Sequence, residues 1–74
     1  MKTYLTVYFS SDGGKPTEVT QALQGLGFKP TKGPHDYALE WPDAKEIQDL
    51  VSFADKVHAK LKGHKVMFKL ETVG

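Results

Sequence analysis

Seventy-four residues leave room for one domain, near the lower end of what folds unaided. With no cysteine, neither a disulfide nor a thiolate zinc site can brace it, so the apolar core has to suffice. All ten basic residues are lysine and the formal net charge is +1; bidentate guanidinium contacts to phosphate or guanine are excluded and nucleic acid is a disfavoured partner.

Thr3 to Phe9 alternates as a half-buried strand does, with Leu5, Val7 and Phe9 on one face and Tyr4, Thr6 and Tyr8 on the other. Ser10 to Gly14 breaks that pattern, and Pro16 suits the first turn of a helix. The spacing predicts a helix over Pro16–Gly25, because Val19, Ala22, Leu23 and Leu26 form one apolar stripe and Gly25 and Gly27 can end it. Phe28 to Lys32 reads as a short strand. Pro30 removes a ladder donor there, so this strand belongs at a sheet edge.

Gly33-Pro34 turns the chain into a strand over His35–Trp41, with Tyr37, Leu39 and Trp41 on one face and Asp36, Ala38 and Glu40 on the other. Asp43 and Glu46 have capping-box spacing at the start of a second helix. Its stripe is Ile47, Leu50, Val51, Ala54, Val57 and Leu61, and Gly63 closes it. At about 20 residues it would span roughly 30 Å. His64 to Thr72 is the last strand, with Val66, Phe68 and Leu70 inward and Lys65, Met67, Lys69 and Glu71 outward.

The expected class is α+β, a two-layer sandwich of βαββαβ order: a four-stranded, mainly antiparallel sheet with two helices on one face. Among right-handed arrangements the ferredoxin-like split βαβ pair is the expected one, with the first and third strands central. A three-stranded sheet is the fallback if the proline-containing strand does not form.

Two surfaces are candidates for function. The first is the strand-to-helix loop, where Ser10, Ser11, Gly13, Gly14, Lys15 and Thr17 could combine free amides, hydroxyls and a lysine around an anion such as phosphate, a nucleotide or a carboxylate. The GGKPT order falls short of a phosphate loop, since Pro16 stands where the metal-binding hydroxyl belongs and Asp12 would repel an anion. The plainer reading is a connection whose glycines relieve strain and whose Ser11 or Asp12 caps the helix.

The second surface is the open sheet face, expected to display Tyr4, Thr6 and Tyr8 beside Lys65, Met67 and Lys69. Lysine stems could simply cover the tyrosines. Tyrosine and methionine also suit a contact with a second copy or another protein. Stacking of RNA bases ranks third, because the neighbouring strand brings the carboxylates Asp36 and Glu40.

No metal or other cofactor is expected. The three histidines have no ligand spacing, and His58 reads as a core-edge residue on the second helix. Asp36 and Glu40 would stand about 13 Å apart, too far for paired glycosidase carboxylates. Acylphosphatases need a loop arginine and copper chaperones a CxxC pair, and neither is present. The chain is similar to amino-acid-sensing ACT domains in element order and a glycine in the first loop, and no further. The N-terminal stretch is too short and polar for a signal-peptide core or a membrane span, so a cytoplasmic protein is expected. These readings lead to a non-catalytic binding or interaction domain, self-associating through the open face or an edge strand.

Overall fold

The computed structural model describes residues 1–33, 35–43 and 45–74. It is a small α+β fold with a four-stranded antiparallel sheet and two helices, in the order β1 (Lys2–Tyr8), α1 (Pro16–Gly25), β2 (Lys29–Pro30), β3 (Tyr37–Glu40), α2 (Ile47–Leu61) and β4 (Met67–Val73). The strands lie in the order β2-β3-β1-β4, so the first and third are central. The expected Gly33-Pro34 turn includes Pro34, and the expected start of the second helix includes Ala44; both residues lie outside the described ones.

Alternation along the chain becomes burial. Leu5 and Val7 of β1, Val19 and Leu23 of α1, Tyr37 of β3, and Val57 and Leu61 of α2 form one buried cluster with Phe28. Both helices therefore contribute to the same side of the sheet. Tyr37 is buried with its hydroxyl 2.6 Å from Thr20 Oγ1, which satisfies the polar end of an otherwise apolar side chain. Tyr37→Phe is expected to cost about 1 kcal/mol, the net worth of one neutral hydrogen bond. Urea unfolding would measure it, and an unchanged midpoint would show that the bond contributes nothing.

Several boundaries differ from expectation. Phe9 lies beyond β1 and is 41% exposed, because Tyr8 pairs with Met67, the first residue of β4, and among the described residues no strand partner continues past it. β2 is only two residues long, paired through Lys29↔Ala38 and Pro30↔Tyr37, and it lies at the edge, as its proline requires. Neither Ser11 nor Asp12 caps α1. Its N-cap is Lys15, without a side-chain bond, and Pro16 follows in the first turn.

The second helix begins one turn late. Its N-cap is Glu46, whose N–H donates to Asp49 Oδ2 at 3.2 Å, so Glu46 and Asp49 take the roles expected of Asp43 and Glu46. At 15 residues it spans about 22 Å. The apolar stripe also outruns its cover: Ile47 is 79% and Val51 57% exposed, whereas Val57 and Leu61 are buried. His58 is exposed rather than at the core edge. Gly63, with φ at 93°, closes the helix in the left-handed region.

Candidate functional site

The open sheet face brings Tyr4, Thr6, Tyr8 and Lys69 together, as alternation along β1 and β4 implies. Register explains why. Tyr4 pairs with Glu71, Thr6 with Lys69 and Tyr8 with Met67, so side chains of one parity on each strand meet above the sheet. Tyr4, Thr6, Tyr8 and Lys69 line a shallow depression of about 260 Å³ together with His35 and Glu71. Met67 is 75% and Tyr8 55% exposed beside it.

His35 and Glu71 complete the group: Glu71 was expected to face outward with Lys69 but was not assigned to the site, and His35 was expected only as an exposed residue at a strand start. The His35 ring stacks on Tyr4, with centroids 4.5 Å apart and planes at 22°. Its Nε2 lies 3.0 Å from Glu71 Oε2, an ion pair when the imidazole is protonated and a hydrogen bond from ring N–H to carboxylate when it is neutral and carries its proton there. The signal for Glu71 was its parity with Lys69 on the same strand. His35 precedes β3 and carries no such signal.

Asp36 was expected on this face beside Ala38 and Glu40. Its carboxylate instead accepts the Val7 N–H at 2.8 Å, while its own N–H donates to the Leu5 carbonyl at 3.1 Å. The side chain thereby serves the β1 backbone just where β3 has not yet begun.

Lys65 stands apart from the group. It precedes β4 and has a φ of 55°, a conformation in which a non-glycine residue is strained. Its carbonyl oxygen abuts the first loop, where a methyl group on Gly13 would lie 2.5 Å from it.

In that loop, Ser10, Ser11, Lys15 and Thr17 are exposed and Gly13 and Gly14 half-buried. The Gly13 N–H donates to the Ser10 carbonyl at 3.1 Å, and the Gly14 N–H donates to the His64 carbonyl. Both glycine amides are thus engaged within the chain. The close approach of the loop to His64 and Lys65 accounts for two glycines in succession, since a side chain at either would meet that turn.

A second surface has a different character. An apolar groove of about 210 Å³ lies between α2 and the inner face of β4, lined by Ile47, Leu50, Val51, Leu70 and Thr72 among others. At its floor the buried Thr3 hydroxyl accepts the Trp41 Nε1–H at 2.8 Å and lies 2.8 Å from Thr72 Oγ1.

Among the described residues no group of three or more His, Asp or Glu side chains could hold a metal ion, and no helix is long and apolar enough to cross a membrane. No protein-family model, curated protein or solved structure matches the chain.

Proposed function

We propose that this chain is a small, non-catalytic interaction domain that self-associates through its open sheet face or an edge strand. The strand order β2-β3-β1-β4 with antiparallel neighbours supports the ferredoxin-like arrangement, in which one sheet face is covered by helices and the other is open. The observation that carries the reading is what stays in solvent. Tyr8 and Met67 on the open face, Val73 at the end of β4, and Ile47 and Val51 on α2 are all more than half exposed. Exposed tyrosine, methionine and aliphatic side chains on and beside the edge strand suit a contact surface.

This reading is favoured over anion binding at the Ser10–Thr17 loop because the amides of Gly13 and Gly14 already have partners within the chain. Sedimentation equilibrium over a wide concentration range is the test. Reversible, concentration-dependent dimer formation is the expected result, and a species of 8.2 kDa throughout would refute self-association.

A further inference from the structure

We infer that the edge strand β4 pairs antiparallel with β4 of a second copy, in a register centred on Leu70, so that two four-stranded sheets join into one. This rests on the reading of the chain as a self-associating domain and names the surface that does it.

The two edges of the sheet are unlike each other. At one end β2 is two residues long and contains Pro30, a combination that blunts an edge against pairing. At the other, β4 runs seven residues, MFKLETV, with neither proline nor glycine. Among the described residues no strand covers its outer side. An edge of that length offers a row of backbone donors and acceptors to any extended chain that fits.

The side chains of β4 select a second β4. A strand paired antiparallel with its own copy is related to it by a twofold axis, so the residues on either side of the axis face each other twice. With Leu70 on the axis, Lys69 faces the other copy's Glu71 and Glu71 faces its Lys69. Both side chains lie on the open face, where they line the same depression. Met67 then meets Val73, the two exposed apolar residues at the ends of the strand. On the inner face Phe68 meets Thr72 and Leu70 meets itself.

The Lys69–Glu71 and Met67–Val73 pairs therefore form twice and the Leu70 pair once, and no like charges face each other along the strand. Glu71 keeps its contact with His35 through Oε2, which leaves Oε1 for the incoming ammonium. The groove beneath β4 fits the same arrangement. Leu70 lines it, so pairing at Leu70 brings the two grooves together and gives the exposed Ile47 and Val51 an apolar neighbour in the second copy.

Charge reversal tests the register. Lys69→Glu places glutamates opposite one another at both positions, and Glu71→Lys does the same with lysines. Each variant alone is expected to dimerise about tenfold or more weakly, since attractive cross-strand pairs become repulsive ones. An equimolar mixture of the two single variants restores both attractive pairs and is expected to form a mixed dimer near the wild-type strength. That recovery also controls for misfolding and for the loss of the His35 contact in Glu71→Lys.

A variant-free measurement accompanies it. Amide hydrogen exchange on the outer edge of β4 should slow as wild-type concentration rises, while that of β2 should not. If the wild type dimerises but neither reversal weakens it, or the mixture fails to recover, the β4 register is overturned and self-association through another surface stands. If the wild type stays monomeric up to about 1 mM, the weak end of specific affinity, the β4 dimer and the self-association reading both fall, leaving the edge to a strand from a different protein.

Discussion

Phe28→Ala is expected to cost about 3–5 kcal/mol, the range for removing a fully buried phenylalanine. Phe28 is 1% exposed, among the largest fully buried side chains of the fold. It lies in the chain between α1 and the short strand β2, and joins Val19 and Leu23 of α1 in the core cluster. Its ring also packs against Phe53 of α2, with centroids 5.7 Å apart, and Phe53 in turn meets the edge of Trp41 at 5.0 Å. Truncation would thus leave a cavity against three elements and remove the inner member of an aromatic row. For 74 residues, a stability of roughly 0.05–0.15 kcal/mol per residue gives about 4–11 kcal/mol in all, so this one substitution removes a large part of it. Urea unfolding followed by tryptophan fluorescence, at a single low protein concentration so that association does not contribute, would measure the loss. A loss under about 1 kcal/mol would mean that the site collapses around the alanine and that the aromatic row carries little.

Phe28 also marks where sequence reasoning reached the structure and where it stopped. Alternation separated Leu5 and Val7 from Tyr4, Thr6 and Tyr8 because a strand of fixed parity needs only its own residues to define two faces. Pro30 placed β2 at the edge for an equally local reason, a missing N–H. The stripe of α2 was legible as a stripe, but the sheet covers only its C-terminal half, and Ile47 and Val51 are left out. Periodicity gives the face of a helix and not the reach of what it packs on. Asp36 and His35 were less legible still. The carboxylate of Asp36 reaches Val7, and the ring of His35 reaches Tyr4 and Glu71. Each contact depends on how the segment before β3 passes across β1, which no local pattern encodes. The self-complementary order of charges along β4 was in the sequence throughout. It acquired meaning once β4 was known to be an open edge, because only then does the pairing of Lys69 with Glu71 become a question.

Gly13→Ala is expected to destabilise the fold by about 1–3 kcal/mol, the usual cost of forcing a methyl group into filled space. The new Cβ would lie 2.5 Å from the Lys65 carbonyl oxygen and 3.2 Å from that of His64. Both neighbours are backbone, so neither can swing aside as a flexible side chain would. The turn they belong to is itself constrained, since Lys65 holds a φ of 55° immediately before β4, and the Gly14 N–H ties the loop to the His64 carbonyl. Relief therefore requires the first loop to withdraw from the turn, which loosens the N-terminal approach to β4. Lys15→Ala and Ser11→Ala, at exposed positions of the same loop, are expected to stay within about 0.5 kcal/mol of wild type. Thermal or urea unfolding of the three variants separates the roles within one segment. A Gly13→Ala protein as stable as wild type would show that the loop does not need its close approach to the turn, and the two adjacent glycines would then require another explanation, such as a ligand that reaches the loop backbone.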